Sequence, residues 1–292
     1  MTDRYFRPSS VSAFRQLAAV TWDPPKDPTI YGAIEVDVTV LQPYIQQLRE
    51  TTGFKLTVTH AAVRALAKVL GDNPSMNCLI RRGKIWQRRD VDVFCQVSVP
   101  SQDAAKQQGA DLSGVIVRRA DLLDTAGIAK QLHEKAARIR ANDDPDLARV
   151  KGLLGAFPPL LTKYLLRFLA YLNHDWGIDL RFLGVPDDPF GSIMVTSLGM
   201  FGVRHAFAPL FPGGRSIGVF LLGEVYDKVV AENGQVVIRP VLPMQVAFDH
   251  RLIDGTQAAL FSREVMRLLQ DPQALDTLAT VATVPEAAAP ST

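Results

Sequence analysis

The chain of 292 residues is 47% hydrophobic, enough for one large core or two small ones. Its 32 Lys and Arg against 30 Asp and Glu leave a formal charge of +2, which gives no reason to expect a nucleic-acid partner. Cys78 and Cys95 have neither metal-ligand spacing nor the number a disulfide framework needs, so they are expected as core thiols in a reducing, cytoplasmic setting with no bound metal.

The N-terminus, Met1 to Tyr5, is polar and lacks a basic start followed by an apolar stretch, so no targeting segment is read there. Residues 1–30, with Pro24, Pro25 and Pro28, read as an arm with a short helix ahead of a main domain over 31–283. Alternation predicts a strand over Ala33–Val40, and a helix follows over Gln42–Glu50. Ala61, Val63, Leu66, Ala67 and Leu70 recur at helical spacing, which predicts a helix over His60–Leu70. Cys78–Ile80 and Lys84–Gln87 suggest a hairpin turning at Arg81-Arg82-Gly83. Val91–Val99 and Gly114–Val117 are predicted strands, and Leu122–Ala141 a helix with a charged face, broken by Asn142-Asp143-Asp144-Pro145.

Gly152–Leu172 is apolar, but Pro158, Pro159, Lys163 and Arg167 interrupt it, short of the roughly 20 apolar residues a span requires. It is expected as a buried helix against a sheet or a neighbouring subunit; a membrane-surface helix is the alternative. Ile193–Ser197, Ser216–Leu222, Tyr226–Val230, Gln235–Arg239 and Val241–Phe248 are predicted strands, with Asn233-Gly234 a hairpin turn. Residues 284–292, rich in Ala and Pro, are expected to be a disordered tail. Helices and strands without regular βαβ alternation point to an α/β or α+β two-layer sandwich.

The densest chemistry lies at Phe248-Asp249-His250-Arg251-Leu252-Ile253-Asp254-Gly255. An apolar strand, Met244 to Phe248, runs into it. Asp254, with Gln257 three residues on, has the form of a capping box for the helix that carries Ala258, Phe261, Val265, Leu268 and Leu269 on one face. A histidine on such a strand-to-helix loop has an ordinary pKa of about 6.5 and suits general-base work near neutrality. The plainer reading is a loop histidine beside a helix cap.

The string Phe-Asp-His-Arg-x-x-Asp-Gly resembles the active-site motif of the dihydrolipoamide acyltransferases, the transacylase subunits of 2-oxo acid dehydrogenase complexes. Its shorter His-x-x-x-Asp-Gly core is shared with chloramphenicol acetyltransferase. Ile34 to Thr39, Leu56 to Ala62, Asn73-Pro74-Ser75-Met76-Asn77 and Ser192 to Gly202 are similar to other parts of the same family in the same order, so the resemblance spans about residues 30–272. It implies a chloramphenicol acetyltransferase-like fold, a mixed sheet with packed helices. It also implies acyl transfer between coenzyme A and a dihydrolipoyl-type thiol, with coenzyme A as substrate and no bound prosthetic group.

By that resemblance His250 is the general base and Thr196 supplies the hydroxyl that steadies the oxyanion, two residues before Leu198-Gly199. Ser197 should point to the opposite face, and Thr196 as a plain β-branched strand residue is the alternative. Asp254 is expected to orient the active-site loop, in the family often through an arginine, while Asp249 and Arg251 either pair with other charges or are structural. His60 and His133 fall in predicted helices. His174 and His205 fall in the insert and in a loop, without a carboxylate motif. Arg81, Arg82, Lys84, Arg88 and Arg89 are read as a solvated hairpin, or else as a landing place for the phosphates of coenzyme A.

The family's lipoyl and subunit-binding domains have no room before the resemblance begins, which suggests a stand-alone catalytic domain. Its lipoyl group would come from another chain, with dehydrogenase components as possible partners. The residues at Ser12 to Leu17 depart from the family's Arg-rich first helix, and an apolar insert at about 152–189 replaces a short charged connection. The family further implies a homotrimer with its site between subunits, free of larger cores because the tail is small and polar. Two other readings are the same fold acylating a small-molecule amine or hydroxyl, and a non-catalytic trimeric scaffold.

Overall fold

A computed structural model describes residues 27–99, 111–140, 164–165, 168–169, 171–178, 180, 188–211 and 214–277. The elements are β1 (Thr29–Asp37), α1 (Leu41–Thr52), α2 (Val58–Asp72), β2 (Cys78–Arg81), β3 (Lys84–Gln87), β4 (Val93–Val99), β5 (Asp111–Val117), α3 (Thr125–Arg140), β6 (Ile193–Ser197), β7 (Gly218–Leu222), β8 (Tyr226–Glu232), β9 (Gln235–Asp249), α4 (Gly255–Gln270) and α5 (Pro272–Asp276). The arm at 1–26, the tail from 278 and most of the apolar insert lie outside the described residues. Residues 29 and 30, assigned from sequence to the arm, belong to β1.

A seven-stranded mixed sheet runs β1-β9-β7-β6-β4-β5, with β8 also on β9. The β4–β6 and β6–β7 pairs are parallel and the rest antiparallel. This is the α/β mixed sheet with packed helices expected from the sequence. β2 and β3 form a separate hairpin, turning through Arg82 and Gly83 at φ 51° and 68°.

Period-2 alternation divides the sheet into two faces. Ile193 and Val195 of β6, Phe220 and Leu222 of β7, and Met244, Val246 and Phe248 of β9 enter the main core with α2 and α4. α2 is the hub, with Ala61, Ala62, Val63, Ala65, Leu66 and Ala67 fully buried. Small alanines let it pack closely against the neighbouring helices α3 and α4. Arg64 is buried among them and tethers the C-terminal end, its Nε donating to the Leu275 carbonyl at 3.0 Å and its Nη1 to that of Asp121 at 2.9 Å. Thr196, Leu221 and Gln245 face the other way, beneath the loop at 199–211.

The two strands expected on either side of Pro240 are one strand, β9. It pairs with β8 from Gln235 to Val241 and with β7 from Met244 to Phe248. Residues 223–225 oppose only 242–243 between those ladders, so the missing N–H of Pro243 falls at a bulge, where a proline costs no ladder bond. Asn233 and Gly234, at φ 52° and 77°, make the tight β8–β9 turn.

Candidate active site

His250 directly follows β9, on a loop held from both sides. Phe248 before it and Phe261 after it meet at 5.6 Å, edge to face, and both pack on Phe220. Gly218 is needed opposite, since a Cβ there would come within 2.8 Å of the Phe248 ring. Leu252 and Ile253 are buried, the latter completely, so the turn is nailed into the core two residues past the histidine. The Asp249 backbone carbonyl accepts from the N–H groups of Leu252 and Ile253, and the His250 N–H donates to the Pro28 carbonyl at 2.8 Å. The His250 side chain is exposed on this rigid frame, and its ring makes no hydrogen bond among the described residues.

The neighbouring charges resolve into separate pairs. Arg251 grips the buried Asp249 in a two-pronged contact, Nε to Oδ1 at 2.9 Å and Nη2 to Oδ2 at 2.6 Å. Residues either side of His250 are thus clamped to each other, and the hydrogen bonds that Arg251 donates to Asp249 raise its pKa above the ordinary value. Asp254 caps α4: its Oδ1 accepts from Gln257 N–H at 2.8 Å, and Gln257 Oε1 accepts from Asp254 N–H at 3.1 Å. Among the described residues no arginine reaches Asp254; Arg251 is already engaged by Asp249, and Gln257 takes the remaining contact.

Thr196 stands half-buried near the C-terminal end of β6, on the face away from the helices, and its hydroxyl has no hydrogen bond among the described residues. Ser197, one residue on, alternates to the opposite face. Thr196 opposes Leu221, and Leu221 opposes Gln245. The Thr196 row therefore crosses β9 five residues before His250, roughly 17 Å along the strand and about 10 Å across two strand spacings. Within one chain the hydroxyl and the imidazole lie at opposite ends of the sheet and cannot share a substrate.

The remaining titratable candidates separate by burial. His60 is in α2, where Nδ1 accepts from Thr57 N–H at 2.9 Å, and burial presses its pKa down to about 4. Cys78 and Cys95 are free and buried, and burial pushes the Cys95 thiol up to about 12, which rules out thiolate chemistry there. Arg88 leaves the expected surface cluster: it is buried, pairs with Asp188 and donates to the Arg215 carbonyl at 3.0 Å. Burial lowers its pKa to about 10. It follows β3 directly, and a guanidinium so nearly enclosed is tolerated only when paired. Arg82 remains exposed, stacked over Trp176 at 4.3 Å.

His205 was set aside in the sequence for want of a neighbouring carboxylate. Its partner is an amide: Gln245 Nε2 lies 3.0 Å from His205 Nδ1. The signal was available as a lone glutamine inside the apolar run Val241 to Phe248, but no local pattern pairs it with residue 205. Among the described residues no group of three or more metal-binding side chains occurs, and no helix is long and apolar enough to cross a membrane.

A mixed sheet with packed helices, a histidine loop at the end of β9 and a hydroxyl-bearing β6 make up an α/β core. The family described as 2-oxoacid dehydrogenases acyltransferase (catalytic domain) matches residues 21–144 and 186–276, and the chain belongs to it. The match omits 145–185, which includes most of the apolar insert.

Among curated relatives, the acetyltransferase component of the acetoin cleaving system of Bacillus subtilis (strain 168) is 25% identical over 247 residues, 83% of this chain and 49% of that protein. The succinyltransferase component of the 2-oxoglutarate dehydrogenase complex of Haemophilus influenzae is 26% identical over 249 residues, 82% of this chain and 48% of that protein. The chain thus spans about half the length of the curated relatives it matches.

Among solved structures, the cubic core of the pyruvate dehydrogenase multienzyme complex aligns with a TM-score of 0.63 at 18% identity, covering 92% of this chain and 99% of that one. Dihydrolipoamide acetyltransferase from Azotobacter vinelandii, determined to probe a serine, a histidine and an asparagine in its catalytic mechanism, aligns at 0.62 and 18%, with the same coverage. At that identity these likenesses establish the fold.

Proposed function

We propose that the chain is a coenzyme A-dependent acyltransferase that moves an acyl group between coenzyme A and a dihydrolipoyl-type thiol, at a site completed by two copies of the chain. The observation that carries this is the pairing, in a member of this family, of an exposed His250 on a core-anchored loop with a separate Thr196 hydroxyl, neither side chain hydrogen-bonded among the described residues. A thiol with pKa about 8.5 is only a few per cent ionised at neutrality, so it needs a base. His250 takes the S–H proton, and the thiolate attacks the thioester carbonyl carbon. The Thr196 hydroxyl donates to the oxyanion of the tetrahedral intermediate. Collapse breaks the original C–S bond, and the departing thiolate recovers the proton from His250.

Asp254 positions this loop through the cap and transfers no proton. The Azotobacter vinelandii enzyme was probed at a serine, a histidine and an asparagine, and the reading proposed here puts a threonine, a histidine and an aspartate in comparable parts. The single-chain separation of His250 and Thr196 supports a homotrimer in which each histidine faces a neighbour's threonine. The relatives are components of a 2-oxoglutarate dehydrogenase complex and of an acetoin cleaving system, and a lipoyl group carried by another chain is the acyl partner proposed here. A reducing compartment such as the cytoplasm keeps that dithiol, and Cys78 and Cys95, reduced.

The test is a panel of acyl-coenzyme A donors offered to dihydrolipoamide and to simple alcohols and amines. Thiol-dependent release of coenzyme A, lost in His250→Ala, is the expected result. Acylation of an amine or alcohol alone would replace the acceptor class, and no transfer from any donor would leave a scaffold.

A further inference from the structure

Gln245 is 1% exposed, on the same face and row of the sheet as Thr196 and roughly 10 Å from it, two strand spacings away. Its Oε1 is buried without a partner among the described residues. A leucine would fill that position with no polar group to desolvate, so the amide needs a reason to be there. That reason is the imidazole it holds.

The loop bearing His205 is pinned to the sheet. A Cβ on Gly223 would lie 2.1 Å from the Arg204 carbonyl oxygen, and one on Gly199 would lie 2.7 Å from that of Gly223. Glu224 N–H donates to the Val203 carbonyl at 2.9 Å. The His205 ring stands edge-on to Tyr226 at 6.4 Å, and the Arg204 guanidinium covers Tyr226 at 4.5 Å. Because Gln245 Nε2–H donates to Nδ1, the neutral imidazole carries its proton on Nε2. His205 is exposed and has no other hydrogen bond among the described residues, so this N–H is available to a ligand.

A donor calls for an acceptor oxygen. The surrounding charges are already matched, Arg204 with Glu224 at 3.7 Å and Lys228 with Glu35, so a neutral acceptor suits the place better than a carboxylate. The row spacing is too long for the reacting carbonyl itself and suits a group farther along a substrate arm. We infer that His205, oriented by Gln245, is a substrate-positioning imidazole whose Nε2–H donates to an amide carbonyl on the extended arm of a thiol substrate bound at Thr196. The inference rests on the acyl-transfer reading above. Both thiols in that reaction carry such an amide, one on the pantetheine arm of coenzyme A and one on dihydrolipoamide.

The experiment measures two selectivity ratios in kcat/KM for the full chain: dihydrolipoamide against propane-1,3-dithiol as acceptor, and acetyl-pantetheine against S-propyl thioacetate, which has no amide, as donor. His205→Phe and Gln245→Leu are each expected to lower one ratio about tenfold through KM, and the ratio that falls identifies the arm. Both ratios unchanged, or kcat reduced equally for every substrate, overturns the inference. A binding measurement separates it from the enzymatic reading: the imidazole resonances of His205 should shift on adding dihydrolipoamide or pantetheine, and not in Gln245→Leu. A shift in a protein without turnover would support the arm contact and sink the acyltransferase reading. Turnover with no shift for either thiol would do the reverse.

Discussion

At the residue scale, exposure and bonding separate chemical roles from structural ones. His250 has no hydrogen-bonded side-chain partner among the described residues and is exposed, so its loss should leave the fold intact. His250→Ala is expected to lower turnover at least 10²-fold, the lower end of general-base contributions, with an unchanged melting temperature. Steady-state rates and calorimetry on the same preparation check both halves. Thr196→Ala should cost about 10²–10³-fold in kcat, the range for one oxyanion donor, with little change in KM for coenzyme A, and Thr196→Ser should restore most of it. Asp254 differs because its carboxylate closes the α4 cap. Asp254→Ala should cost about 1 kcal/mol in denaturant unfolding as well as activity, whereas activity lost at full stability would give the carboxylate a direct chemical part.

At the scale of elements, the site is a loop held between β9 and α4 by aromatic packing. Phe261→Ala should destabilise by about 3–5 kcal/mol, the cost of removing a large buried ring, and should lower activity although Phe261 is wholly buried. Urea unfolding and turnover together test this; lost stability with full activity would show that the loop holds without the cluster. Much of this element was legible, because the apolar strand, the capping box and the face of α4 are all local patterns. The continuity of β9 was not. Pro240 read locally as a break, and the bulge opposite residues 223–225 is what makes Pro243 acceptable in mid-sheet.

For the whole molecule, His60 links acidity to stability. Its imidazole is partly buried, and that burial holds its pKa near 4 against about 6.5 unfolded. The folded state resists the proton that the unfolded state accepts, so this contribution is complete above pH 6.5 and is lost as pH falls towards 4, on the order of 3 kcal/mol in all. Wild type should lose stability across that window more steeply than His60→Gln, which keeps a cap acceptor without titrating. Assembly has its own test. His250→Ala and Thr196→Ala, each inactive alone, should recover activity when unfolded together and refolded as mixed oligomers. No recovery, or a monomer by light scattering, would contradict a shared site.

The sequence by itself determined the local grammar: which residues alternate, which recur at helical spacing, where Asp254 caps, and that Phe248 to Gly255 carries the motif of its family. Such patterns depend on neighbours within a few positions, so they survive in a linear reading. Tertiary structure alone decided which strands are adjacent, that Thr196 and Gln245 share a row, that Arg88 is buried, and that His205 is held by an amide 40 residues away. Those relations come from strand pairing between distant segments, which no local period encodes. They also separate His250 from Thr196 within one chain, because each closes a strand at an opposite end of the same sheet.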